Sequence, residues 1–202
     1  MFESDLVDFF SRTHFSVVPI LYLPASAWLL WKSAVSEGLG WGVTLGIAGA
    51  AFASWTLIEY WLHRSFFHWE PGGKWGERMH FWVHGVHHKW PKDRFRLVMP
   101  PAVSIALFWL FLGVEYLFLG GTYVWGFHAG MVLGYTYYDL THYYLHHAHP
   151  KTKYGKELKR NHMLHHFRDN GARYGVSWMI WDYVFGTRGE PVRSPRGHAV
   201  RS

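Results

Sequence analysis

Residues 116–138 read YLFLGGTYVWGFHAGMVLGYTYY, without one Asp, Glu, Lys or Arg, and the chain then continues into His142-Tyr-Tyr-Leu-His146-His147. About 20 apolar residues cross a bilayer as a helix, so this run has the length of a span, and side chains of metal-binding type follow directly at its end. Three other stretches also lack charge: 15–31, 38–58 and 97–114. None alternates in the manner of a barrel strand. Pro19 and Pro24 interrupt the first, and Gly120 with Gly121 marks a tight turn between the last two. The pattern predicts an all-α integral-membrane protein with four transmembrane helices in two hairpins. A single domain over 1–188 and a flexible polar tail over 189–202 complete the expected layout.

The remainder of the chain is of opposite character. The mean hydropathy of -0.08 looks soluble only because apolar runs and dense basic stretches cancel. With the N-terminus inside, every Lys and Arg of the 20 except Lys32 falls in the inner segments 1–14, 60–96 and the part after His142. That obeys the positive-inside rule and turns the histidine-rich segments toward the cytoplasm. The expected location is a bacterial inner membrane, or the endoplasmic reticulum in a eukaryote. The first 15 residues carry Glu3, Asp5 and Asp8 and do not have the basic start of a signal peptide. The formal charge of +6 fits attraction to anionic headgroups, and a half-hydrophobic chain argues against nucleic acid as the partner. Cysteine is absent, which excludes disulfides, thiolate metal sites and a cysteine nucleophile.

Histidine is the anomaly. Of 16 in the chain, 14 lie between His63 and His166. Four groups stand out: His63 with His68; His84, His87 and His88; His142 with His146; and His162, His165 and His166. Residues three or four apart share a helix face. Each HxxHH triplet is therefore expected to converge on one point, and His142 with His146 to stack one turn apart. The five-residue step from His63 to His68 does not share an α-helical face and suggests either ligands that reach in two directions or a helix that ends between them. Neutral imidazole ligates iron, zinc, copper and nickel. Ten rings exceed the four to six positions of one ion, so two ions of about five ligands each are expected, with open positions for dioxygen or water. His80, His128, His147 and His149 are left outside the set, and His14 and His198 read as solvated. Glu59 and Asp139 precede His63 and His142 by about one turn and are expected to orient ligands by accepting a ring N–H. Asp182 is a weaker candidate for the same role.

Several stretches also resemble a known family. They are WTLIEYWLHR at 55–64, HGVHHK at 84–89, RLVMPP at 96–101, YDLTHYYLH at 138–146, HMLHH at 162–166 and WDYVFGT at 181–187. Together they are similar to the fatty acid hydroxylase/sterol desaturase superfamily, and within it to the fatty acid 2-hydroxylase branch, over residues 51 to 187. The resemblance implies a four-helix membrane core above a cytosolic, helical, histidine-rich dimetal cap. It implies metal ligation by His63, His68, His84, His87, His88, His142, His146, His162, His165 and His166. It also implies two metal ions, iron with zinc as the other species bound, and dioxygen as co-substrate. The product implied is a 2-hydroxy acyl chain. Members with a fused cytochrome domain carry it at the N-terminus. Met1 to His14 is too short for one, so the expected electron donor is a separate cytochrome or ferredoxin with its reductase.

A lipid acyl tail is expected to enter between helices, against Tyr135, Tyr138 and Trp178. The alternatives are a sterol or carotenoid hydroxylase or a desaturase of the same superfamily, which share the histidine pattern, and a non-catalytic metal-binding membrane protein. The last would keep its ligands without consuming dioxygen.

Overall fold

A computed structural model describes residues 5–190. The expected tail therefore lies mostly outside the described residues. Every regular element among these residues is helical. A short α1 (Asp5–Phe10) precedes α2 (Val17–Trp31), which runs on through a π-helical turn at Lys32–Ser36. Neither proline ends α2. Pro19 sits in the first turn, where backbone N–H groups have no intrahelical partner, and Pro24 is carried inside the helix. Gly38 and Gly40, both at φ 74°, turn the chain into α3 (Gly40–Trp61), which also extends through a π-helical turn, Leu62–Phe67.

The third long element, α6 (Pro101–His147), has 47 residues with Gly120 at φ 69° and ψ 173°. The rings of Phe108 and His128 lie 4.5 Å apart. A straight helix would separate two residues 20 positions apart by about 30 Å. The chain therefore folds back at Gly120, where only glycine adopts that backbone conformation without strain, and residues 101–119 run antiparallel to 121–147. The turn expected from Gly120 and Gly121 is thus present inside one continuous element.

Val17–Ser36, Gly40–Phe67 and Pro101–His147 are each long and apolar enough to cross a membrane. Large apolar side chains cover their outer faces, Leu117 and Phe118 more than 80% exposed among them. Lipid accommodates such a surface, whereas water does not. The protein is an integral membrane protein.

The second arm of α6 packs against both α3 and α2. Gly130 and Gly134 set the approach to α3. A Cβ on Gly130 would lie 2.1 Å from the Ala48 carbonyl oxygen, and one on Gly134 would lie 2.5 Å from Cβ of Trp55. Small residues that let backbones touch are the usual means of helix association in lipid, where no hydrophobic force drives it. Beyond the glycines, Trp55, Met131, Tyr138 and Leu145 pack with Leu158 and Val176 from the polar part of the chain.

That polar part consists of α4 (Gly73–His80), a π-helical turn at Phe81–Gly85, α5 (Val86–Lys89), α7 (Lys153–Phe167) and α8 (Ile180–Val184). The Thr152 side chain caps α7 by accepting the Gly155 N–H at 3.1 Å. Between α7 and α8, residues 172–177 form a buried loop. Its backbone groups need partners, and those partners shape the site.

Candidate metal centre

The ten singled-out histidines come together in two groups of five. One holds His63, His68, His84, His88 and His165; the other holds His87, His142, His146, His162 and His166. Within each group the facing ring nitrogens all lie within 4.8 Å of one another. In the first group, Nε2 of His63 is 3.2 Å from that of His84 and His84 is 2.9 Å from His88, while His68 is 3.0 Å from His165. In the second, His87 is 2.9 Å from His166 and 3.0 Å from His142, and His146 is 2.8 Å from His162. Nitrogens bound at about 2.0–2.1 Å to one ion stand roughly 3 Å apart when adjacent and roughly 4 Å apart when opposite. The observed spacings match two coordination shells. The shells adjoin, with the rings of His88 and His166 4.2 Å apart.

The partition differs from the sequence expectation in an instructive way. Neither HxxHH triplet converges on one point. Its i,i+4 pair, His84 with His88 or His162 with His166, stays in one group, and the residue between, His87 or His165, turns to the other. His142 and His146 share a group as expected. His63 and His68 do not diverge: both belong to the first group, with Nε2 atoms 3.4 Å apart. The π-helical turn Leu62–Phe67 carries His63 and ends just before His68, its C-cap. Its i→i+5 bonding aligns residues five apart, which an α-helix does not do, and such turns occur often at functional sites. His84 also sits on a π-helical turn.

Ring orientation comes from backbone carbonyls. Nδ1 of His63 donates to the Tyr174 carbonyl at 2.6 Å, and Nδ1 of His165 donates to the Ala172 carbonyl at 2.7 Å. A carbonyl only accepts, so the proton sits on Nδ1 and each Nε2 presents its lone pair to the group. Burial is the main force on the rings outside the membrane helices. It holds His84, His87 and His162 well below the ordinary imidazole range and pushes His68 and His165 down to about 4. His88 is lowered to about 3, again chiefly by burial and then by His165 and His68. The rings are neutral at physiological pH, which is the ligating form.

The expected role of Glu59 and Asp139 needs correction. Neither accepts a ring N–H from a metal-group histidine. Buried Glu59 binds Ser177, through its backbone N–H at 2.9 Å and its hydroxyl. Asp139 accepts from the Tyr135 hydroxyl at 3.0 Å and from the Met99 N–H at 3.4 Å. Asp182, 1% exposed, accepts the Tyr174 and Gly175 N–H groups at 2.8 and 2.9 Å and the Thr187 hydroxyl at 2.8 Å. Glu59 and Asp182 thus hold the loop whose carbonyls hold His63 and His165. The Ala172 and Tyr174 carbonyls had no sequence signal, since every residue carries one.

An apolar cavity of about 610 Å³ adjoins both groups, with His84, His87 and His142 in its wall. Tyr135 and Tyr138 line it as expected; Trp178 does not and is 40% exposed. His80, His147 and His14 belong to neither group: His80 pairs with Glu70 at 3.1 Å with its ring 6.4 Å from that of His68, His147 packs on Tyr143, and His14 bonds Ser16 near the surface.

Comparison with known proteins agrees with this geometry. The family model for fatty acid hydroxylase matches residues 48–187. The chain is 38% identical over 186 residues to a dihydroceramide fatty acyl 2-hydroxylase of Arabidopsis thaliana, covering 92% of this chain and 78% of that one. It is 37% identical over 195 residues to a ceramide very long chain fatty acid hydroxylase of Schizosaccharomyces pombe, covering 93% and 54% respectively. The solved structure of full-length scs7p, with only its hydroxylase domain visible, superposes with a TM-score of 0.86 at 31% identity, covering 96% of this chain and 74% of that one. By sequence and by fold, this chain belongs to the fatty acid hydroxylase family.

Proposed function

We propose that this protein is a dimetal oxygenase that hydroxylates carbon 2 of a lipid acyl chain. The observation that carries the reading is the junction of two five-imidazole groups with one apolar cavity in the membrane domain. His63, His68, His84, His88 and His165 hold one ion, and His87, His142, His146, His162 and His166 hold the other. The relatives that act on fatty acyl and ceramide substrates support the same chemistry.

Bound there, two iron ions supply dioxygen activation and C–H cleavage. One oxygen atom would enter the product and the other leave as water, with two electrons from a separate donor protein and two protons from solvent. The chain's own contribution is positional. The Ala172 and Tyr174 carbonyls keep two imidazoles in the ligating tautomer. The apolar wall admits a methylene chain and excludes water. Tyr135, tied to Asp139, and Tyr138 border the chain near the second group. The fold-back at Gly120 supports four crossings, and the placement of the basic residues supports a metal face turned to the cytoplasm, in a bacterial inner membrane or, in a eukaryote, the endoplasmic reticulum.

The test is reconstitution of purified, iron-loaded protein in lipid with a chemical or protein reductant. The expected outcome is dioxygen uptake coupled to a 2-hydroxy acyl product one oxygen atom heavier, lost in His87→Ala. Metal retention without dioxygen uptake would identify a scaffold instead, and loss of two hydrogens from the chain a desaturase.

A further inference from the structure

One end of the cavity points toward the Gly120 turn. Its wall follows one stripe of the second α6 arm, Asp139, Tyr135, Val132 and His128, and on that arm no lining residue lies nearer the Gly120 turn than His128. His128 is an unusual residue for that position. It is 1% exposed, and its Nδ1 meets Oε2 of buried Glu115 on the opposite arm at 2.7 Å. Its ring packs edge-on to Phe108 at 4.5 Å. Ionisable groups inside a membrane core are costly and tend to mark function, and nothing in the metal chemistry uses this pair.

We propose that the Glu115–His128 pair is the floor of the acyl channel and sets the longest chain the enzyme accepts. This rests on the reading of the cavity as the acyl site. An apolar floor of Leu or Met would yield to a longer tail by changing rotamer. The imidazole does not, because turning it aside breaks a buried hydrogen bond and strands a carboxyl group in an apolar wall. Phe108 and Phe111, the first-arm lining residues nearest the Gly120 turn, close the other side. His142 and His128 are 14 positions apart on one continuous helix, about 21 Å. With carbon–carbon bonds of about 1.5 Å at about 111°, an extended chain advances roughly 1.25 Å per carbon. That span holds about 17 steps beyond carbon 2. A contact gap of up to about 4 Å at the ring removes about one to three of them. The channel therefore takes a saturated chain of about 16 to 18 carbons when carbon 2 lies at the level of His142. Glu115 acts as a positioning residue, and His128 touches the chain end.

The experiment gives wild-type protein in lipid a mixture of saturated acyl substrates of graded length and reads the 2-hydroxy products by mass spectrometry. The wild type should show a steep fall beyond about 18 carbons, of about tenfold per added carbon pair or more. His128→Ala should move the fall to longer chains by at least two carbons. Glu115→Ala should blur it, and Glu115→Gln, which keeps a hydrogen bond, should restore it. A wild-type profile with no fall in this range overturns the proposal even where a variant does not fold, and so does a fall unmoved in His128→Ala. A wild type that hydroxylates no chain of any length instead removes the acyl-oxygenase reading itself.

Discussion

Replacing Asp182 by Ala should release one metal group and spare the other. The Asp182 carboxylate accepts two buried backbone N–H groups, of Tyr174 and Gly175, and the Thr187 hydroxyl. Its removal leaves both N–H groups without an acceptor. Each such group costs about 1–3 kcal/mol, so the loss is about 2–6 kcal/mol, a large share of a typical domain stability of about 5–15 kcal/mol. The damage is local to the loop that offers its carbonyls to His63 and His165, both in the first group. Loss of a partner that orients a ligating histidine lowers metal affinity about 10–100-fold. Iron-loaded protein would be held in a chelator and its metal content followed by elemental mass spectrometry, with circular dichroism as the check on fold. Asp182→Ala should lose one ion rapidly and keep the second at the wild-type rate. Asp182→Asn, which retains one acceptor oxygen, should fall between. Parallel loss of both ions from a folded variant, or retention of both, would refute the account of the loop as the support of the first group.

Three further outcomes follow from the same geometry. His165→Ala and His166→Ala, adjacent in sequence, should each remove a different ion: combined with each other they empty both groups, whereas His165→Ala with His63→Ala should empty only the first, as read by metal-to-protein ratio. Gly130→Leu should destabilise the protein by about 1–3 kcal/mol or more by overpacking against the Ala48 carbonyl, while Gly42→Leu, with open space around it, should have little effect on thermal stability in detergent. In metal-free protein, acid should weaken the fold early. Below the ordinary imidazole value of 6.5 the unfolded chain takes up protons that buried His68 and His165 refuse until about 4, so stability falls as pH drops through that window. A melting temperature flat between pH 6.5 and 4 would contradict the burial of these rings.

Much of the site was readable because it depends on local repetition. The i,i+4 pairs His84–His88, His142–His146 and His162–His166 are visible as spacing, and each pair stays together in the fold. Glu59 and Asp139 were singled out for position alone, one turn from a ligand, and both proved to be buried anchors of other groups. Helical spacing says which way a carboxylate sets out but not what stands opposite. Of the two readings of the His63–His68 step, the helix end between them holds, and the divergence in reach fails because a π-helical turn, which has no composition of its own, precedes His68. Trp178 failed for a related reason: an aromatic residue near a membrane end belongs equally well to a lipid-facing surface.

The chain's one-dimensional pattern determined its class: uncharged runs long enough for a bilayer, a reversal marked by Gly120, basic residues gathered almost entirely outside those runs, and ten imidazoles in four clusters. Those properties follow from composition and period, which act over a few turns of helix. Only tertiary structure decided how the ten rings divide, because His87 meets His142 and His165 meets His68, each in the group opposite its neighbours, once distant segments are packed. The tertiary fold likewise chose which carbonyls orient the histidine rings and joined both groups to one apolar cavity. A peptide carbonyl is the same in every residue, and a cavity is the space between segments distant in sequence, so neither leaves a mark that can be read before the chain is packed.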